Sequence, residues 1–341
     1  MIILLLLATF KVLFLIYPNV VLAAAREGLF MWLNNVLPAL LPFMIVTNML
    51  MILGFAEYVG KIFTFVMKNF FGLPGAGGFA LIVGLTSGYP LGAKAVADLQ
   101  RDGALSLQEA QHLLAFSNNA GPLFVLGVVG IGFFGNATVG YILWTGHVIA
   151  AIFLGVLLKF FYYSDTKNVV NTPIYPVKKF SPPSDTHIKK RKRLLSVTIW
   201  FFSRFRPAKL STVKPGKILS DSVKNAMESI VVIGGVVIFF SATIAIMEEI
   251  GLPDTGLLAG LLAGMIEITS GVRDISNAGI SAASLGFAAF VVAFSGLSIH
   301  MQTLHFIDGT GIKAIPYILS KLVHGVIAAA ITVILWRIFV T

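Results

Sequence analysis

The sequence predicts an all-α polytopic membrane protein made of two inverted repeats, each with a re-entrant helical hairpin and an interrupted transmembrane helix. Three observations lead there. Hydrophobic residues make up 57% of the 341-residue chain and charged residues 12%, with a mean hydropathy of +0.89; an ordinary soluble domain carries roughly 25% charged residues. Two runs of helix breakers and small polar residues interrupt this apolar sequence, Gly84-Leu-Thr-Ser-Gly-Tyr-Pro-Leu-Gly-Ala-Lys94 and Ala115-Phe-Ser-Asn-Asn-Ala-Gly-Pro122. Irregular backbone survives at membrane depth only where protein buries it or it lines a cavity. The second half then repeats the order. Glu267-Ile-Thr-Ser-Gly271 echoes Leu85-Thr-Ser-Gly88, and Ala293-Phe-Ser295 echoes Ala115-Phe-Ser117. The intervals from Thr-Ser-Gly to Ala-Phe-Ser are 29 and 24 residues, and a Val-Ile-Ala-Ala follows each, at 148–151 and 326–329. Interrupted hydrophobic segments at matching positions of two halves point to a transporter's binding site.

Taken in order, residues 1–24 form an apolar N-terminal stretch. Ala23-Ala-Ala25 could serve as a signal-peptide cleavage site, but the basic n-region is missing and the run is long, so a retained transmembrane helix is expected. Arg26-Glu27-Gly28 reads as a polar turn, and 30–54 as a span kinked by Pro38 and Pro42. Residues 56–71 set Lys61 and Lys68 among aromatics, as an interfacial helix does. After the glycine-rich hinge at 72–78, residues 79–100 place two apolar arms of about ten residues around Thr-Ser-Gly-Tyr-Pro. Each arm is too short to span, so a hairpin with its tip at 86–90 is expected. Ser106-Leu-Gln-Glu109 is a capping box opening a helix from 107 to about 133, broken at 118–122, and a span follows at 137–162. The second half reads as a span at 223–249, a hairpin at 256–282 with its tip at Thr269-Ser-Gly271, a helix at 285–307 interrupted near Ser295–Ser298, and a span at 313–340. Three crossings per half would invert the second half against the first. The domains are therefore 1–24, a first membrane repeat at 25–163, a loop at 164–222 and a second repeat at 223–341.

Charge is concentrated in that loop. Residues 159–224 hold 15 of the 25 Lys and Arg but only three of the 15 acids, leaving 10 bases against 12 acids elsewhere. Basic charge beside membrane spans marks the cytoplasmic face and anionic lipid, so Lys189-Lys-Arg-Lys-Arg193 is read as topogenic and no nucleic-acid partner is expected. The run Trp200-Phe-Phe-Ser-Arg-Phe205 suits a segment lying on that surface. The absence of Cys excludes disulfides and thiolate chemistry. His-Glu-x-x-His, Gly-x-Ser-x-Gly and Walker motifs are all missing, so no enzyme, metal or cofactor is expected. Transport by such a chain is downhill, ion-coupled or driven by a partner.

Several of these blocks carry a resemblance. Leu37-Pro-Ala-Leu-Leu-Pro-Phe43 after Trp32, Gly88-Tyr-Pro-Leu-Gly-Ala-Lys94, Phe116-Ser-Asn-Asn-Ala-Gly-Pro122 and Gly264-Met-Ile-Glu-Ile-Thr-Ser-Gly271 look like the YlbJ-type sporulation integral membrane proteins. These belong to the nucleoside recognition, or Gate-domain, superfamily, distantly similar to concentrative nucleoside transporters. The likeness runs from about residue 5 to the C-terminus, with nothing carried over in 164–222. It implies two inverted repeats, a role in endospore maturation, and transport of dipicolinate across a forespore membrane, the outer one being expected. A nucleoside substrate and a scaffold that moves nothing are the alternatives, and a homo-oligomer is left open.

Dipicolinate, a planar pyridine with two carboxylates, calls for hydrogen-bond donors and positive potential, which half-helix N-termini supply. The candidate binding residues are Ser87, Gly88, Asn118, Asn119, Thr269, Ser270, Gly271, Ser295 and Ser298. Small residues also mediate membrane helix packing; their clustering beside breakers in both halves favours binding. Lys94 either meets the anion or pairs with Asp98 four residues on. Glu267 could bind a coupling proton or Na⁺, or accept hydrogen bonds from the facing hairpin. His300 and Gln302 could read a carboxylate or ring nitrogen. His147 and His324 fall out of register between the halves, so no pairing is expected. The tips at 86–90 and 269–271 are expected to meet beside the two breaks, with Ser87, Asn119, Ser270 and Ser298 lining one polar pocket.

Overall fold

The structure, a computed structural model, describes residues 2–53, 55–163, 215–251 and 256–340, and all of its regular elements are helical. Helix α1 (Ile2–Ile16) stops at Tyr17, and α2 (Pro18–Met31) starts on a proline whose missing N–H costs nothing at a first turn. The two are bent by 102°, so the expected single helix over 1–24 is corrected to two. The expected turn at Arg26-Glu27-Gly28 is interior to α2, where Gly28 is buried against Ser241 of a later helix. A wide π-type turn, Trp32–Val36, leads into α3 (Leu37–Ile52), which holds Pro38 in its first turn and Pro42 inside. Helix α4 (Phe55–Val66) widens at Met67–Phe71 and ends on left-handed Gly72.

Two short helices follow, α5 (Gly77–Thr86) and α6 (Leu91–Arg101), folded back on each other so that the Gly84 and Gly92 backbones face closely. Ser106 opens α7 (Leu107–Ser117) with both arms of its capping box formed: Glu109 N donates to Ser106 Oγ at 3.3 Å and Ser106 N to Glu109 Oε2 at 2.7 Å. The chain loses helical form over 118–121 and resumes as the π-type helix Leu123–Phe133. Helix α8 (Ala137–Tyr163) completes the first half.

The basic pentad and the aromatic run at 200–205 lie outside the described residues. The chain is already helical from Pro215, so the last eight positions of the expected 164–222 loop belong to α9 (Pro215–Glu249). Next come the paired helices α10 (Gly256–Ile266) and α11 (Ile268–Asn277), then α12 (Ala282–Phe294), α13 (Gly296–Ile307) and α14 (Ala314–Phe339). The expected tip at Thr269–Gly271 is corrected here. The only non-helical residue between α10 and α11 is Glu267, and Thr269–Gly271 form the first turn of α11. That tight reversal works because Gly271 backs onto Gly264, where a Cβ would overlap its backbone.

Four stretches are long and apolar enough to cross a membrane, Ala137–Tyr162, Pro215–Glu249, Ala282–Ile307 and Ala314–Phe339, or five with the bent α1–α2 pair. The protein is an all-helical, polytopic membrane protein. Each half presents the same order of a long helix or helices, a folded-back pair, an interrupted helix and a final long helix. The buried cores do not respect the halves. One gathers Phe79, Leu99 and Phe116 with Ile230 and Tyr317, and another gathers Tyr89 and Val129 with Val272 and Val291. The last helix, α14, packs against α7, α8 and α12.

Candidate functional site

Four of the polar backbone groups freed by the first break have partners from the surrounding fold. Asn118 O accepts from Lys321 Nζ at 2.8 Å, Asn119 O accepts from Tyr89 N, Ala120 N donates to His147 Nε2 at 3.1 Å, and Gly121 O accepts from Val125 N at 3.1 Å. This accounting is what allows an unwound segment so deep in an apolar fold. The Asn118 side chain extends the same network. Its Oδ1 accepts from Ala93 N at 3.3 Å, an otherwise orphaned donor in the first turn of α6, while its Nδ2 donates to Thr303 Oγ1 at 2.9 Å and Tyr317 Oη at 2.8 Å. The turn between α5 and α6 rests on the break, with Gly88 (φ +85°) against Gly121. The second half copies this contact. Its break is left-handed Ser295 (φ +81°) followed by Gly296 (φ +64°), and Gly296 sits against the carbonyls of Gly264 and Ile266 at the end of α10. In both halves, the reversal of the helix pair leans on the interruption of the next helix.

The two arrangements face one cavity of about 510 Å³, within the usual range for small-molecule sites. Thr86, Ser87 and Tyr89 contribute from the first reversal and Gly121 from the first break. Glu267, Ile268 and Thr269 contribute from the second reversal, and Ser298, Ile299 and Gln302 from α13. Met31 of α2, Asn34 and Val36 of the Trp32–Val36 turn, and apolar residues of α3, α9 and the Leu123–Phe133 helix complete the wall. The Glu267 carboxylate oxygens accept from Thr269 N at 3.0 Å and Ser270 N at 2.9 Å, capping α11. Gln302 Nε2 donates to Ser298 Oγ at 3.4 Å, while Gln302 Oε1 and Tyr89 Oη have no partner among the described residues.

Of the residues singled out from the sequence, Ser87, Glu267, Thr269, Ser298 and Gln302 line this cavity. The other eight do not. Gly88, Gly271 and Ser295 shape the backbone behind it. Asn118 and Asn119 are fully buried, and the Asn119 amide donates to Phe116 O at 2.7 Å. Ser270 presents its backbone N–H to Glu267 and stays off the wall. The expectation that Asn119 and Ser270 share the pocket with Ser87 and Ser298 is therefore corrected: the Asn119 amide is taken up by Phe116 O within the break, and the first turn of α11 places Ser270 off the wall. Lys94 pairs with Asp98 at 2.8 Å, and Asp98 also meets Arg101 at 3.3 Å. His300 is buried between Phe294 and Tyr317, with ring centroids 4.8 and 5.3 Å away, and neither ring nitrogen has a partner.

Sequence reasoning missed Tyr89, Thr303, Tyr317 and Lys321. Lys321 carried a usable signal, because it stands inside a long apolar span, and the rule that an intramembrane charge needs a partner applies to it as much as to Lys94. His147 and His324, out of register by sequence, are neighbours in space, with rings 4.8 Å apart and 3.2 Å between His324 Nε2 and His147 O. Among the described residues no group of three His, Cys, Asp or Glu is placed to hold a metal.

Residues 33–143 match the family model described as nucleoside recognition, called Gate. That segment contains the first helix pair and the first break. The chain is also 30% identical over 340 aligned positions to the sporulation integral membrane protein YlbJ of Bacillus subtilis strain 168, covering 94% of this chain and 79% of that one. No solved structure matches it. With 30% identity over 94% of its length, the chain belongs to the YlbJ family of sporulation integral membrane proteins.

Proposed function

We propose that this protein transports a small organic anion, dipicolinate being the favoured one, across a forespore membrane during sporulation. The observation that carries the proposal is the convergence of two chain reversals and two helix breaks on one cavity. A scaffold gains nothing from such an arrangement, because each piece of irregular backbone in apolar surroundings has to be satisfied individually. Helices α5, α6, α10 and α11 are 10 or 11 residues long, or ~15 Å, half of a ~30 Å hydrocarbon core. Both pairs therefore suit re-entrant hairpins whose reversals stop near the midplane, with the halves inverted about it. Alternate opening of the cavity to either side would then move the solute.

A specific observation supports a second reading. Among the described residues on the cavity wall, Glu267 is the one acidic side chain and no Lys or Arg stands there, which favours a neutral, nucleoside-like solute over a dianion. Reconstituted proteoliposomes separate the readings. Labelled dipicolinate should exchange across the bilayer, and unlabelled dipicolinate should compete better than uridine or adenosine. Better competition by nucleosides would replace the anion with a nucleoside. Absence of exchange for every solute, in both orientations, would leave the scaffold reading.

A further inference from the structure

A buried lysine stands just behind the first break, off the cavity wall. Lys321 is 0% exposed, and its Nζ donates to Asn118 O at 2.8 Å and to His324 Nδ1 at 2.9 Å. Because His324 Nδ1 accepts, its ring proton sits on Nε2, which donates to His147 O. His147 Nε2 in turn accepts from Ala120 N, which places its proton on Nδ1. Both rings are thus neutral acceptors. An ammonium has three N–H donors and an amine two, and Lys321 has two acceptors. The site therefore accommodates either protonation state without rebuilding a bond.

The surroundings offer no counter-ion. Helix α12 contains no ionisable side chain, α8 brings only His147 to the cluster, and α13 brings His300 against Tyr317. From α7, His112 is engaged with Gly155 O at 2.9 Å, and Tyr317 Oη is held by Asn118 and Thr303. No carboxylate among the described residues pairs with Lys321. A buried charge without a partner carries a desolvation penalty that a nearby opposite charge offsets. Unpartnered buried atoms, among them Ser117 Oγ, Asn119 Oδ1 and His147 Nδ1, gather at the same break. Buried polar atoms of this kind are the ones that ordered water ordinarily satisfies in proteins.

We propose that Lys321 is the coupling site of transport, binding one proton when an anion occupies the cavity and releasing it when the anion leaves. The amine takes a proton from water on the side the cavity faces, becoming an ammonium, and returns it to water on the other side. The charged form grips Asn118 O more tightly, since charge-assisted hydrogen bonds are the stronger ones. Asn118 is itself bonded to Thr303 and Tyr317, so occupancy of the cavity would lock the first break onto the second half. This rests on the anion-transport reading above.

The test uses labelled dipicolinate as the probe and two measurements. Exchange at equal pH on both sides needs no net proton movement and judges the transport reading by itself. Net uptake under a pH gradient, with membrane potential clamped, judges the coupling. The wild type should accumulate ~10-fold more dipicolinate for an outside-acid step of about one pH unit, as one proton per anion requires. Lys321→Gln should keep exchange and lose this stimulation, whereas His324→Asn, which retains an acceptor for Lys321, should keep both. Exchange in the wild type without pH stimulation overturns the coupling and leaves transport standing. Stimulation surviving in Lys321→Gln, or lost in His324→Asn alone, removes the role from Lys321. Should Lys321→Gln fold poorly, proton uptake on dipicolinate binding by detergent-solubilised wild type decides: about one proton per anion is expected, and none overturns the proposal. Absence of wild-type exchange removes the transport reading and the coupling with it.

Discussion

Asn118 does more for this fold than any other single residue described. It caps the start of α6 through Oδ1, reaches Thr303 and Tyr317 through Nδ2, and offers its carbonyl to Lys321. Asn118→Ala would leave the buried Ala93 N–H without its acceptor and take one bond each from Thr303 and Tyr317, which keep only each other; an unsatisfied buried group costs about 1–3 kcal/mol. Tyr317→Phe removes one hydroxyl and leaves Asn118 bonded to Thr303, a loss of about 1 kcal/mol. Thermal unfolding in detergent should therefore rank wild type above Tyr317→Phe, and Tyr317→Phe well above Asn118→Ala. Asn119→Leu belongs to this series as well. Its side chain touches Phe116 O and not the cavity, so lost activity there should come with lost stability. The sequence placed Asn119 on the pocket wall instead, because runs of small polar residues do not announce which members face inward. Gly84 is constrained from the other direction: a Cβ would overlap Ser117 O, a backbone atom that cannot swing aside.

At the level of elements, much was legible. The two interruptions were readable because helix-breaking residues in an apolar background have few interpretations, and the Ser106–Glu109 box gave the start of α7. The position of the second reversal was not. Glu267 reads as a charge, yet it acts as an N-cap, a role more often taken by Ser, Thr, Asp or Asn, and it moves the turn two residues ahead of Thr269-Ser-Gly. The sharp bend at Tyr17–Pro18 was also hidden, because a proline near the end of an apolar run gives no measure of angle. The native chain lacks Cys, which makes single-cysteine labelling a clean check on the elements. Ser87→Cys and Ser298→Cys should react with a small thiol reagent and be protected by substrate, while Asn119→Cys and Ser270→Cys should react slowly and without protection. Equal protection at all four positions would restore the wider pocket expected from sequence.

Across the whole molecule the halves are interlocked rather than merely adjacent. Trp32 Nε1 donates to Ile230 O at 3.1 Å, Arg101 to Phe306 O at 2.7 Å and Asp308 O at 2.9 Å, and the Gln111 side chain brackets the Lys313 backbone with bonds of 3.1 and 2.7 Å. The linking stretch carries most of the net charge, and that charge predicts a cytoplasmic orientation. A Cys placed at Ser184 should be closed to an impermeant reagent outside intact cells and open after permeabilisation, as the bias of basic residues toward the cytoplasm requires. Labelling in intact cells would reverse the assigned topology.

The long reach of Lys321 to Asn118 also bears on how the protein is made. The two residues are 203 positions apart, so at ~5–20 residues per second the ribosome needs roughly 10–40 s between them. Until the second half is made, the carbonyl and side-chain amide of Asn118 in the unwound segment lack the partners they have in the finished fold, Lys321, Thr303 and Tyr317. Water, lipid headgroups or the insertion machinery must shelter it meanwhile. The C-terminal helix is therefore the step that completes biogenesis, and nascent chains that stall before it present the cell's membrane quality control with an open, polar gap.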